Sequence, residues 1–212
     1  MGIPVEPGRP LGGACFIADV DTLGEDLVGP ARPLLAAGLP AVLLRARGRA
    51  ARDVVRIGSA LRDAAGEAGA AFVVNGDLDA ALALEADGVH IPAAGPGVAA
   101  VRARLPDGIA VGRSAHDEAE VVLAAGADWV FVSPVFATES KPGAPTLGPD
   151  ALAALVARAR PPVYALGGID ARNVAECRSA GVAGVAAIRA FAGPEGVAFL
   201  RAALESSPRE GA

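Results

Sequence analysis

The 212-residue chain has few aromatic side chains, two cysteines, two histidines and no uncharged apolar stretch of 18 residues. Each shortage excludes something. With aromatics at 4% and a net charge of −5 spread along the chain, neither a stacking platform nor a basic face for nucleic acid is visible. Without a long uncharged run, no segment reads as a membrane span. Cys15 falls in an apolar strand and Cys177 in a helical segment, with no C-x-x-C spacing, so both are expected to be reduced and buried. Residues 1–10 lack a basic stretch followed by an apolar one, so no secretory signal is expected and the location is read as cytoplasmic. Neither histidine has a second ligand at zinc-like spacing and no compact acidic pair stands at a strand end, so no metal or other cofactor is expected.

What the chain does have is hydrophobic residues at 52%, mostly Ala and Val, at a length suited to one domain. Short β-rich runs recur about every 20–28 residues, each followed by an Ala-rich segment of helical period. The predicted strands are Gly13–Asp19, Pro40–Ala46, Ala70–Asn75, Gly88–Pro92, Ile109–Ala115, Trp129–Val135, Pro162–Gly168 and Gly184–Ala190. Helices are expected over Leu23–Ala37, Ala51–Ala68, Leu78–Ala86, Gly97–Leu105, Asp117–Ala125, Pro149–Arg160, Ala171–Ala180 and Pro194–Ser206. Asp170 is expected to cap the seventh helix, and Pro149-Asp150 to open the sixth. Eight βα units with no break in composition favour an α/β fold, a single (β/α)8 TIM barrel, over an open doubly wound sheet, because closure leaves no strand edge exposed. The barrel is assigned to 13–207, after an N-terminal lead-in over 1–12.

In such a barrel the carboxyl ends of the strands meet at one mouth, where the active sites of these enzymes lie. That nominates Arg45 and Arg47, Asn75, His90, Ser114 and His116, Thr138, Ser140 and Lys141, Gly167-Gly168, and Ile188-Arg189. The irregular segment Phe136–Gly148 is long enough to be an active-site loop. Gly167-Gly168 places side-chain-free backbone before a helix, after the strand where barrels commonly hold phosphate. Thr138, Ser140 and Lys141 add hydroxyl donors and a charge from the facing loop. Histidine both accepts and returns protons near neutral pH, so His116 is the candidate acid/base, whereas His90 is expected to pack within the fourth strand.

Several runs then resemble the thiamine phosphate synthase/TenI superfamily: Leu44-Arg45-Ala46-Arg47, Val74-Asn75, Ala86-Asp87-Gly88-Val89-His90, Gly112-Arg113-Ser114-Ala115-His116, Pro134 to Lys141, Ala165-Leu166-Gly167-Gly168-Ile169 and Gly184 to Ile188. The resemblance covers about Pro40 to Phe191 and implies a (β/α)8 barrel. Its synthase branch joins an aminopyrimidine pyrophosphate to a thiazole phosphate and uses magnesium, held by carboxylates after strands three and four. Here those places read Asn75-Gly76 and Ile91-Pro92-Ala93-Ala94-Gly95, and the synthase Gln-Leu-Arg-x-Lys motif reads Leu43-Leu44-Arg45-Ala46-Arg47. Asp77 and Asp79 stand close enough for a shifted site. The thiazole tautomerase branch uses a histidine in Gly-x-Ser-x-His, which His116 matches, to move a proton on a thiazole phosphate carboxylate. By this resemblance, Gly167, Gly168 and Ile188 hold phosphate, with Thr138, Ser140 and Lys141 adjoining. Arg189 replaces a family serine, either strengthening phosphate binding or plugging the pocket.

The resemblance therefore implies a metal-independent thiazole tautomerase-like isomerase. The alternatives are a divergent thiamine phosphate synthase and a non-catalytic phosphate-ligand-binding protein. The expected partner is a small phosphorylated heterocycle, with neither nucleic acid nor membrane, and self-association is left open.

Overall fold

A computed structural model of the chain describes residues 11–139 and 143–205. Eight parallel strands form a closed barrel in sequence order: β1 Ala14–Asp19, β2 Ala41–Arg45, β3 Ala71–Asn75, β4 Gly88–Ile91, β5 Ala110–Ala115, β6 Trp129–Val132, β7 Val163–Leu166 and β8 Gly184–Ala187. The last closes on the first, with Cys15 opposite Ala186. The fold is a (β/α)8 barrel, with helices α1 Val20–Leu23, α2 Val28–Ala36, α3 Ala51–Ala68, α4 Leu78–Ala83, α5 Val98–Arg102, α6 Glu118–Leu123, α7 Gly148–Arg158, α8 Val174–Ser179, α9 Arg189–Ala192 and α10 Gly196–Leu204.

The core follows from period-two alternation. Along β1, Cys15 and Ile17 point into the barrel with Leu43, Val73, Trp129, Phe131, Tyr164 and Ala186. Phe16 and Ala18 point outward to meet the helices, as do Val42, Leu44, Phe72 and Val74. Gly112 is dictated by this packing, since a Cβ there would fall on the Trp129 indole. On α3, Val54, Ile57, Gly58, Leu61 and Ala65 form the buried stripe of a helical period. A Cβ on Gly58 would come within 2.6 Å of Leu44, so that glycine sets how closely α3 approaches β2. Asp87 and Asp128, each just before an even-numbered strand, accept from Phe72 N at 2.8 Å and Val111 N at 2.6 Å. The repeated unit thereby pins the start of the preceding strand with a carboxylate.

Three expectations need correction. The segment read as one helix over Leu23–Ala37 is two, α1 and α2, separated at Gly24, whose φ is 80°. The eighth strand stops at Ala187, and Arg189–Ala192 is a separate short helix. The sixth and seventh strands end early: Pro134 has no N–H for the ladder, and Gly167 and Gly168 turn the chain with φ of 95° and 67°. Leu11, just before β1, is buried and its N donates to Tyr164 Oη at 3.0 Å; residues 1–10 and the 206–207 end of the assigned domain lie outside the described residues. Cys15 and Cys177 are both free and buried. No helix among the described residues is long and apolar enough to cross a membrane.

Candidate active site

The carboxyl ends of β1, β2, β6, β7 and β8 surround a cavity of about 500 Å³. Of the nominated residues, Arg45, Arg47, Thr138, Gly167, Gly168, Ile188 and Arg189 line it. Asn75, Ser114 and His116 stand at the same end of the barrel but do not line this cavity. Ser140 and Lys141 lie outside the described residues.

Charge around the cavity is organised in pairs. Arg45 Nη1 lies 2.7 Å from Oδ1 of Asp19, which is 2% exposed and whose Oδ2 accepts from Thr22 Oγ1 at 2.6 Å. Arg47 faces Asp21 at 3.6 Å, Arg172 faces Asp170 at 2.5 Å, and Arg189 Nε faces Glu139 Oε2 at 3.3 Å across the mouth. The hydrogen bond from Arg172 holds the Asp170 carboxyl below its usual range. Asp19 was missed in the sequence, although the inward register Cys15, Ile17, Asp19 points to it. Arg172 and Glu139 had no comparable signal, because their placement depends on loops.

The glycine pair has a packing role. A Cβ on Gly168 would strike the Ala137 carbonyl oxygen, and one on Gly167 would lie 2.9 Å from Pro134 Cα. The β6–α7 segment thus runs directly over β7's end, where Val135 N donates to Leu166 O and Phe136 N to Gly167 O, each at 3.0 Å. Asn173 completes the turn: its Nδ2 donates to Gly168 O and its Oδ1 accepts from Asp170 N, both at 2.9 Å. Asp170 therefore shapes this turn and does not cap α8, which starts at Val174. After β8, α9 begins at the cavity wall, where Ile188, Arg189 and Ala190 line it. A short extra helix here is a recurrent phosphate cradle of these barrels.

The histidines differ sharply. His116, one residue beyond β5 and 37% exposed, places Nδ1 2.8 Å from Glu120 Oε2, and its backbone N donates to the same oxygen at 2.7 Å. In the neutral ring this puts the proton on Nδ1 and the lone pair on Nε2. Glu120 went unremarked in the sequence, although Asp117-x-x-Glu120 has the spacing of a helix-opening box and Asp117 does accept from Glu120 N at 2.9 Å. His90 is buried inside the barrel, as expected, with Nε2 2.8 Å from Ser114 Oγ and its ring 4.3 Å from that of Phe131. Burial, aided by the Arg113 charge, pushes its pKa down to about 3. Asn75 pairs with it in strand register.

The residues after β3 and β4 do not fit a divalent cation. Gly76 contributes no side chain, the Asp77 carboxylate caps α4 through Ala80 N at 2.9 Å, and Asp79 faces Arg104 at 3.8 Å on the surface. Behind the β4–α5 loop lies a cation instead: Arg113, 6% exposed, donates to Pro96 O at 2.6 Å and Ala93 O at 2.7 Å. Among the described residues no group of three or more His, Cys, Asp or Glu converges as a metal site.

Comparison with known proteins bears on this arrangement. The thiamine-phosphate synthase of Methanoculleus marisnigri is 40% identical over 188 residues, 86% of this chain and 89% of that one. That of Chlorobium luteolum is 36% identical over 203 residues, 93% of this chain and 94% of that one. The thiamine phosphate pyrophosphorylase structure from Pyrococcus furiosus superposes with a TM-score of 0.82 at 28% identity, covering 94% of this chain and 98% of that one. These names are those of the synthase branch rather than the tautomerase branch. A family profile described as thiamine monophosphate synthase (TMP-TENI) matches residues 14–191, and the chain belongs to that family.

Proposed function

We propose that the protein is a transferase of thiamin biosynthesis that joins an aminopyrimidine pyrophosphate to a thiazole phosphate in the barrel mouth. The observation that carries this reading is the two-sided charge of the cavity. Arg45 and Arg47 line it from the end of β2, and Arg172 and Arg189 from the segments after β7 and β8. Two phosphorylated partners need two anion sites with the reacting atoms held between them. The synthase names of relatives at 36% and 40% identity point the same way. The exposed pairs Arg47–Asp21 and Arg189–Glu139 are of a kind typically worth ~0.2–1 kcal/mol, so an incoming phosphate can take over a guanidinium at little cost. Since the β3 and β4 ends do not fit magnesium, charge on the departing pyrophosphate falls to the arginines.

A second reading, metal-independent isomerisation of a thiazole phosphate carboxylate, is favoured by one arrangement. Glu120 orients His116 with its lone pair on Nε2, as a proton shuttle requires. One experiment separates the two: incubation with both synthase substrates, with and without a chelator, following pyrophosphate, beside a parallel assay of the thiazole phosphate carboxylate alone. Pyrophosphate release supports the transferase. Isomerisation without it replaces that reading with the second, and binding of thiazole phosphate with neither turnover leaves a ligand-binding protein.

A further inference from the structure

Asp19 ends β1 and Arg45 ends β2, and the two are partners in strand register. Asp19 also occupies the N-cap position of α1, where an acidic side chain ordinarily accepts from a backbone N–H of the first turn. It makes no such bond. Instead Oδ1 accepts from Arg45 Nη1 at 2.7 Å and Oδ2 from Thr22 Oγ1 at 2.6 Å. A buried carboxylate is thus turned away from capping its own helix and toward a cavity arginine. Burying an ion pair is a poor way to stabilise a fold, because desolvation offsets the attraction; what the pair supplies is a fixed direction. Arg45 is part-buried, and among the described residues Asp19 is its one hydrogen-bond partner. The bond to Nη1 holds one corner of the guanidinium and leaves the Nε–Nη2 edge, a planar fork of two donors, for another partner. Arg47 is the contrast, since its pair with Asp21 is exposed on both sides and 3.6 Å long.

We propose that Asp19, itself locked by Thr22, is a positioning residue that fixes the Arg45 guanidinium so that its free edge takes two oxygens of a phosphoryl group on the ligand. That the oxyanion is a phosphoryl group rests on the proposed function. Charge alone argues for the opposite effect. A carboxylate 2.7 Å from the guanidinium repels an incoming anion, so if Asp19 only neutralised Arg45, removing its charge would tighten binding. If it orients the fork, removing its charge weakens binding, because the ligand itself must then order a long side chain. The sign of the change separates orientation from screening.

The test is calorimetric titration of the full chain with inorganic pyrophosphate and, separately, with thiazole phosphate. Asp19→Asn keeps the shape of the side chain and removes its charge, and is expected to weaken binding of at least one probe about tenfold. A loss confined to one probe identifies the phosphoryl group that Arg45 holds. Unchanged or tighter binding of both overturns the proposal. Arg45→Lys gives a second readout, because lysine cannot reproduce the fork. It should weaken binding about tenfold in the wild-type background and no more than about twofold beside Asp19→Asn; equal losses in the two backgrounds overturn the clamp. Should Asp19→Asn not fold, Thr22→Val, which leaves the ion pair and frees only the carboxylate, decides the matter: binding about threefold weaker supports the proposal, and unchanged binding overturns it. A wild-type protein that binds neither probe overturns the functional reading and the proposal together, whereas wild-type binding that the variants leave intact overturns the proposal alone.

Discussion

One carboxylate oxygen of Glu120 serves His116 twice, accepting from its backbone N at 2.7 Å and lying 2.8 Å from its ring Nδ1. The helix that follows β5 therefore holds both the backbone and the ring of this residue. Glu120→Ala strands the His116 amide and is expected to lower stability by about 1–2 kcal/mol, read as a fall in the denaturant midpoint. His116→Gln should leave pyrophosphate release within a few-fold. Where the isomerisation is catalysed, the same change should slow it about 10²–10⁴-fold. An equal fall in both reactions would assign His116 to the transfer itself.

Gly168→Ala is expected to destabilise the protein by more than about 1 kcal/mol, since the residue has φ of 67° and its Cβ would meet the Ala137 carbonyl. Affinity for thiazole phosphate should fall as well, because the displaced segment carries Thr138 and Glu139 into the cavity wall. A variant with wild-type melting temperature and wild-type affinity would refute the packing role.

Acid should weaken the fold through His90. Its folded pKa of about 3 lies below the ordinary 6.5, so between these values the unfolded chain binds a proton that the folded one excludes. The neutral ring's contribution is intact above 6.5 and is lost as pH falls toward 3, by up to about 1.4 kcal/mol per pH unit. From this group alone, stability should drop by about 2 kcal/mol between pH 7 and about 5. Denaturant melts of His90→Gln should lack that part of the slope; an identical slope in the variant would place the titration elsewhere.

Lys141 is the only lysine in the chain, so an amine-directed acylating reagent addresses this side chain and the N-terminus alone. If Lys141 serves the phosphate, thiazole phosphate should protect it from labelling, and Lys141→Ala should weaken binding about tenfold or more. Labelling at the same rate with and without ligand would remove it from the site.

Magnesium should not bind the apo protein measurably in calorimetry. Gly76→Asp would introduce a carboxylate where a Cβ meets nothing nearer than Pro92 at 3.8 Å, at a cost of about 1 kcal/mol for the left-handed backbone. Gain of magnesium affinity in that variant would locate the missing ligand; strong binding by the wild type would show that the ion is held elsewhere.

Much of this molecule is determined locally. Period-two alternation set which strand residues face inward, from Cys15 and Ile17 to Phe131 and Tyr164, and the stripe Val54, Ile57, Leu61, Ala65 defined α3 from end to end. Because parallel strands put their carboxyl ends at one mouth, Arg45, Thr138, Gly167, Gly168, Ile188 and Arg189 could be grouped before any coordinates. Only closure of the barrel decided the partners. Arg45 meets Asp19 from a different strand, Arg189 reaches Glu139 across the mouth, and Gly168 is required by a segment some 30 residues earlier in the chain. Such pairings depend on loop paths that no local period encodes. The orientation of His116, the candidate acid/base, toward Glu120 depends on where α6 begins, so its ring geometry is decided by the folded chain although the Asp117-x-x-Glu120 spacing is local.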